Sequence, residues 1–430
     1  MAPYAMTGFV VTDHVVQVPV DWADPARFGS IEVFAREIVD PARAADDLPL
    51  LLFLQGGPGG MGPRPMPGSG WWSTALKAHR VVLLDQRGTG RSSRIDGRAI
   101  TRFPDGRTAA EYLACFRQDA IVEDAEHLRT TIYGGRRWAT LGQSYGGFLT
   151  LRYLSTHPQA LTACYVTGGL IGIDATAEDV YSRTFPRQLA RDEQFARAFP
   201  DDVDVLHAVA DQCAAGSVVL SDGTPLTVER LQALGAPFGM STGLDDLHWL
   251  LDTALDADGR VAQAFADEVG HRTAWDTNPL YAVLQEAIYH QGARAGGWAA
   301  AAELARRPAF AASARPLRLT GEAFFPWAYE QVGALRPFRA AAEEVAARTE
   351  WPVLYDAARL AANEVPVAAV QYYDDPYVDL DLALDTADRV GNAQVWVTNE
   401  YLHDGLRVHG DEILPRLVDL AAGRWTVTGR

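Results

Sequence analysis

The chain has 430 residues, 48% of them hydrophobic, so it exceeds one ordinary domain and can bury a large core. Its 55 acidic and 38 basic residues give a net charge of −17, which argues against nucleic acid or an anionic membrane surface as a partner. The three widely spaced cysteines form no metal or disulfide pattern, and the sequence shows no signal peptide and no membrane-spanning apolar stretch. We therefore expect a cytoplasmic protein.

Strand and helix patterns alternate along the first part of the chain. Two alternating stretches predict an antiparallel pair at a sheet edge, and three later apolar runs, one of them after a long helix, predict buried strands. In chain order these patterns cover residues 8–20, 30–39, 48–54, 81–84, 121–133 (helix) and 163–166. Such alternation predicts a parallel, doubly wound sheet with its active site beyond the carboxyl ends of the strands.

The pattern changes after Gly169. From about residue 175 to 346 the sequence is mostly helical, with amphipathic stretches and an Ala-rich segment at 179–199, 203–215, 245–255 and 293–314. Strand patterns return at 365–373 and 393–397, and a helix is predicted at 411–422. We therefore predict an α/β core built from residues 1–167 and 355–430, with a mostly helical cap inserted at 168–354.

The segment from Gly142 to Gly146 reads Gly-Gln-Ser-Tyr-Gly, follows the apolar run Trp138–Leu141 and precedes a helical pattern. A strand, a sharp turn and a helix in this order hold a serine in a strained conformation, and the flanking glycines let neighbouring segments pass without Cβ clashes. We predict that Ser144 is a nucleophile at the positive end of the following helix.

A serine hydroxyl is a poor nucleophile until an imidazole takes its proton, and a carboxylate must fix the tautomer of that imidazole. In the chain order Ser, acid, His, the acid is expected after the strand at 365–373, where Asp374 and Asp375 both stand. His403 lies in the loop after the next strand, whereas His409 lies close to the last helix. Loop position favours His403 as the base.

The glycine run at 56–60 predicts an oxyanion hole, because backbone amides without side chains in the way can point at a developing negative charge. The expected donors are the N–H groups of Gly57 and Tyr145. A simple Gly-Pro turn and a phosphate-binding loop are the alternatives, but the Gly-Lys-Ser/Thr sequence of the latter is absent.

Three motifs together resemble the prolyl aminopeptidases (proline iminopeptidases) of the α/β-hydrolase fold. They are Gln-Gly-Gly-Pro-Gly-Gly at 55–60, Asp-Gln-Arg-Gly-Thr-Gly-Arg-Ser at 85–92 and Gly-Gln-Ser-Tyr-Gly-Gly at 142–147. The similarity covers roughly residues 1–167 and 355–430. It places Asp375, which is followed by Pro-Tyr-Val-Asp, in register with the acid of the family. One departure is Gln55, where the family often has histidine.

The resemblance implies a serine exopeptidase that releases an N-terminal residue, preferably proline, from small peptides without a metal or cofactor. In the family, glutamates of the cap bind the free amino or imino group. Glu286, beside Tyr289, looks like one of them, and Glu322 and Glu330 are candidates for the second. Tyr289 belongs to the predicted substrate-binding set.

Physical chemistry supports a carboxylate there, because a cation buried in an enclosed pocket needs an opposite charge to offset its desolvation. A glutamate within an amphipathic helix is, however, more often solvated than functional. Aromatic residues of the predicted cap can line a proline-sized pocket or form the core of the cap: Trp275, Tyr281, Tyr289, Phe324, Phe325 and Trp327.

Two other functions fit the same residues. One is a carboxylesterase or amide hydrolase with the same triad and a different pocket. The other is a non-catalytic binding protein of the same fold, which is disfavoured because nucleophile, acid and histidine are all present. An epoxide hydrolase or dehalogenase is also disfavoured, because those enzymes have Asp at the position of Ser144.

Overall fold

The computed structural model describes residues 2–68, 70–294 and 296–427. Eleven strands lie in these ranges: β1 (Tyr4–Met6), β2 (Phe9–Pro19), β3 (Ser30–Val39), β4 (Leu50–Leu54), β5 (Arg80–Leu84), β6 (Trp138–Gln143), β7 (Leu161–Thr167), β8 (Gly292–Ala293), β9 (Glu350–Trp351), β10 (Val367–Tyr372) and β11 (Ala393–Thr398). Nine of them form one sheet, in the order β1-β2-β3-β5-β4-β6-β7-β10-β11, and β8 pairs with β9.

The sheet is antiparallel at one edge and parallel elsewhere. β1, β2, β3 and β5 pair antiparallel in turn, and from β5 to β11 every neighbouring pair is parallel. All five residues of β4 are buried, as expected for a central strand covered on both faces. This arrangement confirms the predicted α/β-hydrolase fold, with the carboxyl ends of β4, β6, β10 and β11 along one edge of the sheet.

Helices flank the sheet and fill the region between β7 and β10. The α-helices are α1 (Trp72–Ala75), α2 (Gly97–Thr101), α3 (Gly106–Ala114), α4 (Gln118–Ile132), α5 (Tyr145–Thr156), α6 (Ala177–Ala198), α7 (Pro200–Ala214), α8 (Val228–Gln232), α9 (Gly243–Leu251), α10 (Gln263–Arg272), α11 (Pro279–Leu284), α12 (Ala299–Ala305), α13 (Ala328–Gln331), α14 (Arg339–Ala347), α15 (Ala357–Ala361), α16 (Leu380–Arg389), α17 (Gly405–Val408) and α18 (Gly410–Ala421). Short 3₁₀ helices occupy Pro41–Arg43, Pro158–Ala160, Ala233–Gly239, Ala287–Tyr289, Pro308–Phe310 and Arg336–Phe338.

The region between β7 and β10 is mostly helical, as the amphipathic stretches predicted. The Ala-rich stretch at 293–314 is an exception, because within it only α12 and one 3₁₀ turn are helical, and Ala295 lies outside the described residues. Gly297 and Trp298 adopt left-handed conformations just before α12, and Pro308 follows it, so the continuous helix is interrupted on both sides. The division of the chain at 167/168 and 354/355 remains a prediction.

Buried side chains cover both faces of the large sheet. One cluster joins a sheet face to α4, α5 and part of the helical region, and a second packs the other face against α1 and α18. A third cluster lies within the helical region, between α6 and α10. In the part of the chain that the structure describes, no helix combines the length and the hydropathy needed to cross a bilayer.

Candidate active site

Ser144 occupies the sharp turn between β6 and α5, with φ 55° and ψ −124°. Such a positive φ is strained for a residue with a side chain, and it is held here by close backbone packing. A Cβ on Gly142 would lie 2.3 Å from the carbonyl oxygen of Gly146, and a Cβ on Gly146 would lie 1.9 Å from that of Leu54. Both glycines are therefore required by the turn that presents Ser144.

Asp375 and His403 are hydrogen-bonded to each other beyond the ends of β10 and β11. The Nδ1 of His403 lies 2.7 Å from Oδ2 of Asp375, and both side chains are buried. The other carboxylate oxygen accepts hydrogen bonds from the N–H groups of Tyr377 (2.8 Å) and Val378 (3.2 Å). Because the carboxylate can only accept, Nδ1 carries the proton and Nε2 is left as the basic nitrogen.

Burial by itself lowers the pKa of His403, but the charge and hydrogen bond of Asp375 outweigh it and raise this pKa above the ordinary histidine value. The charges of Glu322 and Asp404 act in the same direction. The ring of Tyr377 contacts the imidazole edge-on, with ring centroids 4.8 Å apart. The site therefore stabilises the imidazolium that forms when the histidine takes a proton.

The predicted oxyanion loop lies against the nucleophile. A Cβ on Gly56 would lie 3.0 Å from Cβ of Ser144, so only glycine allows this approach without displacement. Gly57 has φ +129°, a backbone conformation that favours glycine. Tyr145 is the first residue of α5, so its N–H has no partner within the helix. Gly57 thus lines the same cavity as Ser144, and Tyr145 directly follows Ser144 in the chain. Their role as oxyanion donors stays a prediction.

The motif at 85–92 supports this loop. The side-chain amide of Gln86 donates to the carbonyl of Gln55 (2.7 Å) and accepts from the N–H of Gly60 (3.3 Å), bracing both ends of the glycine run. The buried Arg87 forms a two-pronged ion pair with Asp124, with N–O distances of 2.7 and 2.5 Å. The motif acts as scaffolding for the loop and for α4.

Two cavities meet at the site. The smaller, of about 410 Å³, is lined by Ser144, His403 and the glycine loop. The larger, of about 670 Å³, lies in the helical region and has mainly apolar walls. Four residues line both cavities and so mark their junction: Met240, Asn278, Tyr281 and Glu322.

Glu322 is the acid at this junction. Burial raises the pKa of its carboxyl to about 7, although the nearby His403 acts in the opposite direction. No other described residue donates a hydrogen bond to it or pairs with its charge. The charge of protonated His403 is therefore the compensation that an ionised Glu322 has until a cation enters the cavity.

Glu286 is placed differently. Its two carboxylate oxygens accept hydrogen bonds from the N–H groups of Ala299 and Ala300, both at 2.9 Å, at the start of α12. Burial raises the pKa of Glu286 to about 7, and these hydrogen bonds oppose the shift. It borders a separate void of about 20 Å³ rather than either large cavity. Its predicted contact with substrate stays a prediction.

The other candidates lie apart from the two cavities. Glu330 is exposed and forms an ion pair with Arg339 at 2.9 Å. Tyr289 is buried against Phe148 and borders a different pocket, which Gln291 and Tyr355 also line. Of the four predicted substrate-binding residues, the structure therefore places Glu322 in the cavity that Ser144 and His403 line, and the charge of Asp375 also acts on Tyr289. The roles of Glu286, Glu330 and Tyr289 in substrate binding stay predictions.

The competing residues of the carboxyl-terminal loops are also separated from the site. Asp374 is exposed, and His409 packs against Tyr401 beside α18. Met240 and Tyr377 border the site and were not predicted, because no local pattern distinguishes a residue that meets the triad only in the folded chain. The described residues contain no group of three or more His, Cys, Asp or Glu side chains arranged to hold a metal ion.

Comparison with known proteins agrees with this arrangement. Residues 49–210 match the family model of the alpha/beta hydrolase fold. The chain is 40% identical to a proline iminopeptidase of Aeromonas sobria, over 97% of this chain and 98% of the relative. It is 33% identical to a proline iminopeptidase of Aspergillus aculeatus, over 95% and 93% of the two chains. With similarity that extends over almost the full length of both relatives, the chain belongs to the proline iminopeptidase family of α/β hydrolases.

Proposed function

We propose that the protein is a serine exopeptidase that releases N-terminal proline from small peptides through an acyl-enzyme intermediate. The observation that carries this proposal is the shared cavity, which is lined by Ser144, by the Asp375-bound His403 and by Glu322. A nucleophile with its base supplies amide hydrolysis, and a half-buried carboxylate beside them supplies selection for a free N-terminal cation.

In the proposed reaction, the Ser144 hydroxyl attacks the carbonyl carbon of the N-terminal residue while Nε2 of His403 takes its proton. The N–H groups of Gly57 and Tyr145 stabilise the oxyanion of the tetrahedral intermediate. His403 then gives the proton to the departing peptide nitrogen, and the C–N bond breaks. The products of this step are the shortened peptide and a prolyl ester on Ser144.

Water completes the cycle. His403 takes a proton from a water molecule, whose oxygen attacks the ester carbon, and then returns the proton to the Ser144 oxygen as proline leaves. Asp375 remains ionised throughout and stabilises the imidazolium in both halves of the reaction. Apart from this water molecule, the steps use side chains and backbone groups of this chain.

Glu322 is the acid best placed to bind the substrate imino cation. Pairing with that cation compensates the buried carboxylate, and a substrate with a blocked nitrogen leaves the carboxylate unpaired. The apolar walls of the larger cavity, including Phe324 and Trp327, suit the pyrrolidine ring.

The test is a panel of aminoacyl β-naphthylamides with one simple ester, p-nitrophenyl acetate. We expect cleavage of proline β-naphthylamide, weaker cleavage of other aminoacyl arylamides and no cleavage of N-acetylproline β-naphthylamide. Free hydrolysis of the acetylated compound would favour a carboxylesterase or amidase instead. Inertness toward every substrate, with no labelling by an organophosphate, would favour a binding protein.

A further inference from the structure

A short stretch of the helical region lies directly on the loops that carry the proposed acid and base. This stretch, the clamp segment, comprises residues 236–241 at the end of the 3₁₀ helix Ala233–Gly239. The N–H of His403 donates to the carbonyl of Gly239 at 3.0 Å. The adjacent Asp404 accepts from the N–H (3.0 Å) and the hydroxyl (2.8 Å) of Ser241.

The clamp segment also makes hydrogen bonds to the loop that follows β10 and carries Asp375, here called the acid loop. The N–H of Gly239 donates to the hydroxyl of Tyr377 at 2.9 Å, and that hydroxyl donates to the carbonyl of Ala236. The backbone N–H of Tyr377 in turn binds Asp375. The approach is close, since a Cβ on Gly239 would lie 2.2 Å from the Tyr377 ring. Three residues of the clamp segment, Ala236, Gly239 and Ser241, thus hold the histidine loop and the acid loop between them.

Few other hydrogen bonds fix the position of the histidine. Among the described residues, the hydrogen bonds that leave the loop 402–408 from His403 and Asp404 run to Asp375 and to the clamp segment. The remaining bonds of Asp404 stay within the loop, for example to Arg407 at 3.3 Å. The segment therefore supplies the main restraint on this loop from outside the core.

The clamp segment also forms part of the substrate chamber. Met240 lines both cavities, and Ala236 and Pro237 line the larger one. Met240 lies between Gly239, which holds His403, and Ser241, which holds Asp404. A residue that lines both cavities is therefore one position away from each anchor of the histidine loop.

We propose that Ser241 and Asp404, together with Gly239 and Tyr377, are positioning residues that couple the substrate chamber to the location of His403. This inference rests on the proposed function for its substrate, and on the geometry alone for the positioning. Because a histidine displaced by about 1 Å loses much of its effect as a base, release of the clamp should slow the chemical step rather than weaken binding.

The test uses Ser241→Ala, Asp404→Asn and the double variant, assayed with proline β-naphthylamide and with p-nitrophenyl acetate. We expect kcat to fall about 10- to 100-fold on both substrates with KM changed by no more than about threefold. The double variant should lose clearly less than the product of the two single losses, because both changes weaken the same contact. Ser241→Thr, which keeps the hydroxyl, should recover most of the activity.

The matched control is Ser221→Ala. Ser221 donates its N–H (2.8 Å) and hydroxyl (2.5 Å) to Asp267, the same pair of contacts, on an exposed part of the helical region. The kcat of the Ser221→Ala variant on both substrates should equal that of the wild type. Thermal unfolding of every variant identifies losses that arise from misfolding, and if Asp404→Asn does not fold, Ser241→Ala still decides the question.

The pH profile separates positioning from simple support of the fold. Asp375, Glu322 and Asp404 are the titratable groups whose charges raise the pKa of His403. Asp404→Asn should therefore move the acid limb of kcat/KM for the ester to lower pH, whereas Ser241→Ala, which keeps the charge, should leave it nearly in place.

Unchanged kcat in both single variants would overturn the proposal. An increase in KM for the arylamide alone would also overturn it, because it would assign these residues to substrate binding. If the wild type cleaves the ester and reacts with organophosphate but ignores the arylamide, the proposed peptidase function fails. The ester data then still test the positioning role.

Discussion

Ser144, Asp375 and His403 are each held in place by backbone packing or by hydrogen bonds, whereas the Glu322 carboxylate has no partner among the described residues. The core part of the site is thus organised before any substrate arrives. The substrate-facing part contributed by the helical region has apolar walls and an acid that gains an ion-pair partner when a cation enters. Reaction type therefore depends on the three core residues, which the clamp segment helps to position, and substrate choice depends on Glu322 and the apolar walls. Substitutions should separate these two sets of residues.

The largest effect is expected from Ser144→Ala. It should reduce turnover of arylamide and ester alike by about 10⁴- to 10⁶-fold, because both reactions need the same nucleophile. Labelling by an organophosphate, measured as a mass increase of the intact protein, should disappear. Retention of most activity in this variant would show that the core does not act as a serine hydrolase.

Substitutions of the acid and of the base should have the next largest effects, again on both substrates. Asp375→Asn and His403→Ala should each reduce kcat about 10³- to 10⁴-fold. The first removes the carboxylate that fixes the tautomer of the His403 imidazole, and the second removes the imidazole itself. The neighbouring changes Asp374→Asn and His409→Ala should cost less than about threefold, since Asp374 is exposed and His409 packs away from the site. A larger loss in Asp374→Asn than in Asp375→Asn would reverse the choice of acid.

This contrast also explains what the sequence could predict. The strands β4 and β5 and the turn at Ser144 were predictable, because buried strands need apolar runs and a strained turn needs glycine at fixed positions. These are local constraints, and they leave a local pattern. The fold and the family, which were predicted from these local patterns, are confirmed.

The helical region shows weaker sequence patterns than the core. Glu286 and Glu322 look alike in sequence, and only tertiary packing places one at the start of α12 and the other at the junction of the cavities. The contact between Ser241 and Asp404 joins residues 163 positions apart. Many sequences can satisfy such contacts, so no motif of neighbouring residues reveals them.

The third prediction compares these two acids. Glu322→Gln should lower kcat/KM for proline β-naphthylamide about 10- to 1,000-fold, because the imino cation loses its charged partner in a buried site. It should leave p-nitrophenyl acetate hydrolysis nearly unchanged. Glu286→Gln should show the smaller arylamide loss if its carboxylate serves to cap α12, with a lower melting temperature instead. A larger specific loss in Glu286→Gln would restore it as the principal amine-binding residue.

The smallest effect is expected in the pH dependence. Below neutral pH two groups must lose a proton before the arylamide reacts: His403 to act as a base, and Glu322, with a pKa of about 7, to pair with the imino cation. The ester requires only the first. A plot of log kcat/KM against pH should therefore rise with a limiting slope of about 2 for the arylamide and about 1 for the ester.

In Glu322→Gln the arylamide slope should fall to about 1, because only His403 still titrates. The negative charge of Glu322 raises the pKa of His403, so its removal should also shift the acid limb of the ester to lower pH. Stopped-flow or initial-rate measurements between about pH 5 and 8 span the pKa of Glu322 and the ordinary histidine range. Equal slopes for the two substrates in the wild type would mean that substrate selection does not depend on ionisation of Glu322. The contribution of the helical region to substrate selection would then have to come from the apolar walls alone.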